Sequence, residues 1–212
     1  MSITIEEARE LVKQQQISHR LIAGFYQNIL KEFEKLANSC GYTFRNWWPS
    51  LTDRPCRNST NPSSKWIWDF LPLYASTFEY VMENEPEQAQ LGNCVIVFNL
   101  RCDEGFSKAC QRTGYVDPVD LNSEQGSIEI RVFRCFESPF KGYCYELYQN
   151  CGWPEQSADE WQDVGCAEMK AHYKRYPLEE FIAKKDEVLA YFQKLIKSDY
   201  KVAKTQEQCS EP

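Results

Sequence analysis

Ser127–Phe136, SIEIRVFRCF, is the stretch on which the fold turns. Ile128, Ile130 and Val132 alternate with Glu129 and Arg131, the two-residue period of a strand with one apolar face. Asn93–Cys102, NCVIVFNLRC, is a second run rich in β-branched and aromatic residues. Thr77–Met82 predicts a further strand, and Tyr42–Trp48 another that is bounded by Pro49. Trp66, Trp68 and Phe70 alternate as one face of a strand would, until Pro72 interrupts. Gly142–Tyr148 is expected to partner Ser127–Phe136 through the turn signals Ser138-Pro139 and Lys141-Gly142. Connections this short favour antiparallel pairing.

Helical patterns flank these strands. Thr4 with Glu7 forms a capping-box pattern, and Ile5, Ala8, Leu11, Ile22, Phe25, Ile29, Phe33 and Leu36 fall on three- and four-residue steps before Gly41 ends the run. Polar Lys13–Gln16 divides it into two helices or marks an exposed turn. Ser157 with Glu160 predicts a short helix, and Pro177 with Glu179 and Glu180 opens a longer amphipathic one. The order argues an α+β fold: an antiparallel β-sheet flanked by an N-terminal helix, or helix pair, and an amphipathic C-terminal helix. Residues 1–200 are expected to form one α+β domain and 201–212 a flexible tail. The polar stretch Ser50–Ser64 stands between aromatic clusters and reads as a loop inside that domain.

The first ten residues, MSITIEEARE, are acidic where a signal peptide is basic and apolar. No apolar run approaches the roughly 18–20 residues that cross a bilayer. A cytoplasmic protein without membrane attachment is therefore expected. In that setting the ten cysteines read as free thiols, mostly small buried hydrophobes. There is no C-x-x-C pair, and neither His19 nor His172 stands at ligand spacing from a Cys pair, so no metal and no cofactor are expected.

Catalytic patterns are absent: no phosphate-binding glycine loop, nucleophile elbow, H-E-x-x-H or EF-hand loop occurs. His172 lies six residues from Cys166 and reads as a surface histidine. Glu129-Ile130-Arg131 with Asp103 resembles the carboxylate set of a Mg²⁺-dependent nuclease, although Arg replaces Lys and no P-D pair precedes a strand. The plainer reading is alternating charges on a solvent-facing strand. Trp47, Trp48, Trp66 and Trp68 read as a dense aromatic core with one ring of the first pair exposed. Residues 41–78 carry a net charge of only +2, too mild for a nucleic-acid groove, so no direct nucleic-acid binding is expected.

Charge is the most informative feature. The chain carries a net −7, concentrated in residues 79–126 (nine acids, three bases) and 149–170 (five acids, Lys170). Such fields repel nucleic acid and steer basic partners. The expected function is a non-catalytic acidic binding protein, a cytosolic inhibitor or immunity-type factor of a toxin–antitoxin kind. Its basic protein partner would be a nuclease toxin or nucleic-acid enzyme. The expected binding set is Glu83, Glu85, Glu87, Asp103, Glu104, Asp159, Glu160 and Asp163 with Trp47 and Trp153 as aromatic anchors; no catalytic residue is assigned. The alternative is a Mg-dependent hydrolase using Asp103 and Glu129.

Overall fold

The strand expected at Ser127–Phe136 lies inside a six-stranded antiparallel sheet and is buried along its whole length. A computed structural model describes residues 3–53, 55, 57–64, 66–113, 124–136, 140–154 and 156–198. In chain order the elements are α1 (Ile5–Ser39), β1 (Tyr42–Pro49), β2 (Ala75–Met82), β3 (Gln88–Ala89), β4 (Cys94–Arg101), α2 (Glu104–Thr113), β5 (Ser127–Cys135), β6 (Phe140–Lys141), α3 (Cys144–Gln149), β7 (Gln162–Asp163), β8 (Met169–Pro177) and α4 (Leu178–Lys197). The main sheet runs β1-β2-β4-β5-β8-β7, and β3 pairs with β6 beside it. This is the expected α+β architecture. The expected tail at 201–212 and the turn signal Ser138-Pro139 lie outside the described residues.

Each face of the sheet is closed differently. Phe78, Ile96, Phe98, Ile130 and Val132 point to one side, where Phe33 and Leu36 of α1 and Phe181 and Phe192 of α4 cover them. Phe33 stacks on Phe98 at 4.3 Å between ring centres. On the other side Val81, Val95, Val97, Phe133 and Met169 pack under Cys144, Leu147 and Tyr148 of α3. The N-terminal run forms one continuous helix, opened by the Thr4–Glu7 capping box and closed by Gly41 at φ +82°. Only its last turns are buried, at Ile29, Phe33, Leu36 and Ala37.

Several local expectations give way to tertiary packing. Trp66–Phe70 is not a strand: Ile67–Phe70 and Pro72–Tyr74 are 3₁₀ turns. The Trp68 and Tyr74 rings close on Phe106 of α2, at 4.5 and 5.2 Å, and this packing takes the place of a strand. Gly142–Tyr148 is not a strand but contains α3, because Cys144, Leu147 and Tyr148 share one helical face against the sheet. Ser157–Glu160 does not start a helix. Ser157 Oγ accepts the Arg175 N–H, and the segment runs beside β8, a strand the sequence reading did not anticipate.

His172 is fully buried in β8 rather than on the surface. Its Nε2 lies 2.9 Å from the Tyr191 hydroxyl, and Trp161 and Phe192 meet its ring edge-on. Burial, assisted by Lys174, pushes the imidazole pKa below its usual value. The unfolded chain then binds the proton more readily, so this stability is present above about pH 6.5 and drains away as pH falls below it. Thermal midpoints should therefore drop between about pH 7.5 and about pH 5.5, with a smaller drop in His172→Leu. An equal drop in both proteins would place the titration elsewhere.

Gly126 sits where the chain enters β5. A β-carbon there would lie 2.5 Å from the Cys102 carbonyl oxygen and 2.8 Å from that of Arg101, both main chain. Gly126→Ala should destabilise by about 1–3 kcal/mol in denaturant unfolding, whereas Gly24→Ala, which meets nothing within 4 Å, should not.

Candidate functional site

β5 carries Glu129 and Arg131 onto the same side as α3, whereas Arg134 points to the other face, where its guanidinium donates to the Leu195 and Ser198 carbonyls at the end of α4. Cross-strand register then aligns Thr77, Asn99, Glu129 and Arg175 in one row, and Glu79, Val97, Arg131 and Tyr173 in the next. The second face of the sheet is thus apolar under α3 and polar beyond it. Glu129 and Arg131, expected to be solvated, are 3% and 7% exposed. The correction has a simple cause: β5 has a strand on either side and covering structure on both faces, so alternation separates two interiors rather than inside from outside.

The polar half is a hydrogen-bond chain that leaves one buried donor, Arg131 Nε, without a partner. Arg131 Nη1 donates to Glu129 Oε2 at 2.8 Å and to Asn99 Oδ1 at 2.5 Å, and Asn99 Nδ2 donates to Thr77 Oγ1 at 2.6 Å. The Tyr173 hydroxyl donates to the other Glu129 oxygen at 3.2 Å, with Arg101 3.8 Å from it. The guanidinium lies between the rings of Tyr173 and Trp153, 4.2 and 4.7 Å from their centres. Glu79, 1% exposed, accepts the hydroxyls of Tyr145 and Tyr148 at 2.6 and 2.5 Å. Burial, then Glu79, raises both phenols; Tyr145 is pushed up to about 12.

The pair offered as Mg²⁺ ligands is spent on other work. Asp103 precedes α2 and accepts the N–H groups of Gly105 and Glu124 at 2.8 and 2.9 Å, and the Tyr74 hydroxyl at 3.3 Å. Its role here is that of a helix cap. Glu129 is held by Arg131 and Tyr173 as above. Among the described residues no three His, Cys, Asp or Glu side chains are grouped to hold a metal ion. The described cysteines are free thiols, Cys135 and Cys144 standing 3.5 Å apart between sulfurs.

The expected acidic binding set is dispersed. Glu83, Glu85 and Glu87 lie in the turn after β2, while Asp103 and Glu104 follow the far end of β4, roughly 23 Å away along that strand. Glu104 is buried, bonded to Ser127 Oγ and Arg175 Nη2, each at 2.6 Å. Glu85 accepts the Tyr145 N–H at 3.0 Å. Asp159 pairs with Lys174 and accepts from Tyr191, and Asp163 pairs with Lys170 at 3.2 Å. Glu83, Glu87 and Glu160 are exposed, and their carboxylates have no hydrogen-bond or ion-pair partner among the described residues. Trp47 is half-buried against Phe78 in the helix-side core; Trp153 is 45% exposed and shares a shallow hollow with Asp163, Gln156 and Gln162. Only that aromatic–acid pair is brought together.

A family model described as PM0109 matches residues 6–201. The chain belongs to the PM0109 family. The match runs from the first turn of α1 past the end of α4, so the polar face and both flanking helices lie inside it. No curated protein and no solved structure matches the chain. Among the described residues no helix is long and apolar enough to cross a membrane.

Sequence reading missed Glu79, Asn99 and Tyr148 as members of the polar network. The available signals were single polar residues inside apolar runs, Glu79 in TFEYV and Asn99 in VIVFNL. Removing the donor in Tyr148→Phe leaves Glu79 one partner short in a buried setting and should cost about 1–3 kcal/mol by urea unfolding. Tyr145→Phe should cost less, since that ring is only partly buried. An unchanged midpoint for Tyr148→Phe would mean that water serves Glu79 there.

Proposed function

We propose that the protein is a non-catalytic acidic binding protein that holds a basic protein partner. The observation that carries this reading is the division of its ionisable side chains. Buried Glu79, Asp103, Glu104, Glu129 and Arg131 are each held by internal partners, whereas Glu83 and Glu87 stand exposed and unpaired at one end of the sheet. Groups held so firmly serve the fold; the free carboxylates are what a partner meets. Asn84, between them in the turn, takes φ 58°, which fixes their presentation. Charges of this kind speed encounter more than they tighten the final complex. An inhibitor or immunity-type role, in which the basic partner is a nuclease occluded by this surface, is the finer form of the proposal.

The test uses the full chain against immobilised basic nucleases at low and high salt. Binding should be present at low salt, with association slowed about 10–10³-fold when the field is screened. Glu83→Lys with Glu87→Lys should slow association at low salt while leaving thermal stability unchanged. No binding to any basic protein, or binding indifferent to both salt and the double variant, would contradict the reading.

A further inference from the structure

The hollow that holds Trp153 and Asp163 lies at the C-terminal end of α3, where Asn150 caps the helix. It encloses about 520 Å³, and Asn150, Trp153, Gln162 and Asp163 are among the residues that line it. The Gly152 N–H donates to the Val164 carbonyl at 2.6 Å, which ties the Trp153 segment to the one carrying Gln162 and Asp163. The polar side chains of the hollow are all anchored in one sense. Asn150 Nδ2 donates to the Glu146 carbonyl at 3.0 Å, and Gln162 Nε2 donates to the Gln156 carbonyl at 2.7 Å. Asp163 meets Lys170 through Oδ1. Among the described residues the two amide oxygens and Asp163 Oδ2 have no partner. Trp153 has the Arg131 guanidinium over one face of its ring, 4.7 Å from the centre, yet remains 45% exposed.

Fixed acceptors beside an aromatic ring select a ligand rich in donors. A phosphate or carboxylate would face oxygens, and an ammonium is a compact point charge that cannot lie flat on a ring. A guanidinium is planar, carries donors and no acceptor, and stacks on aromatic faces. The field agrees, since residues 149–170 hold five acids against Lys170. The protein already solves this problem once in its interior: Arg131 is held by the Glu129 carboxylate, the Asn99 amide oxygen and this same Trp153 ring. Asp163, Gln162 and Asn150 repeat that set at the surface. We propose that the hollow receives an arginine side chain of the basic partner, its guanidinium packed on Trp153 and its N–H groups on the Asp163, Gln162 and Asn150 oxygens. This rests on the reading of the protein as a binder of a basic protein, and it names the side chain that is gripped. Glu85, in the acidic turn, meets the first turn of α3 through the Tyr145 N–H. That helix is only about 9 Å long, so turn and hollow flank one short element and a single partner can meet both.

The experiment uses the full chain with ¹⁵N-labelled indoles and a capped arginine, N-acetyl-arginine methylamide, as the ligand. Trp153→Phe identifies the Trp153 signal among the six tryptophans. That signal should shift saturably while the others hold still. The capped lysine counterpart should bind about tenfold more weakly, and a neutral methyl glucoside should leave the signal in place. Asp163→Asn should weaken the arginine compound about tenfold with an unchanged thermal midpoint, the side chain being 87% exposed. No saturable shift at Trp153, an equal response to lysine or the glucoside, or indifference to Asp163→Asn would overturn the arginine hollow. The titration contains no partner protein. Its failure beside intact nuclease capture removes the hollow and keeps the basic partner; a saturable shift without nuclease capture keeps the hollow and removes that reading.

Discussion

Arg131 is a permanently charged side chain held in the interior of a β-sheet, and much of the structure is arranged around that fact. A guanidinium cannot shed its proton to escape burial, so the neighbouring strands must supply acceptors. β5 itself supplies Glu129 and β4 supplies Asn99, while β8 and the segment after α3 supply the ring faces of Tyr173 and Trp153; the Tyr173 hydroxyl donates to Glu129 in turn. The arrangement also pins register. A slip of one residue would carry Arg131 into the phenylalanine core under α1 and α4 and bring Ile130 among the carboxylates.

A polar interior of this kind specifies one structure more than it stabilises that structure. Half of the sheet's second face is closed by α3, whose Tyr145 and Tyr148 also turn their hydroxyls onto Glu79, and the other half by Tyr173 and Trp153 about Arg131. Carboxylates in a sheet, seen in sequence, invite an active-site reading. Here the donors surrounding Asp103, Glu104 and Glu129 hold those carboxylates within the fold.

The elements governed by local chemistry were legible in the chain. The Thr4–Glu7 box, Gly41, the alternation of Ser127–Phe136 and the stripe of α4 all stand where the pattern puts them, because caps and periodicity depend on residues within a turn or two. β8 was hidden by its lysines: partly exposed Lys170 and Lys174 flank buried Ala171, His172 and Tyr173. Trp66–Phe70 shows the opposite error, an alternating run that forms a 3₁₀ turn and sends both Trp66 and Trp68 onto Phe106 of α2. The solvent reading of Glu129 and Arg131 failed because alternation reports two faces, not which of them is wet. Dispersal of the acidic residues was equally out of reach, since nearness in sequence says little about which end of a strand a loop occupies.

The central claim is that buried Glu129 and Arg131 are interdependent parts of the sheet's structure. A double-mutant cycle on Glu129→Gln and Arg131→Met, read by chemical unfolding, tests it most directly. Each single variant leaves a buried partner unpaired and should cost about 3–5 kcal/mol. The double variant should cost less than the sum by roughly 2 kcal/mol or more. Single costs that add to within about 0.5 kcal/mol would show two independent side chains, and would contradict the account.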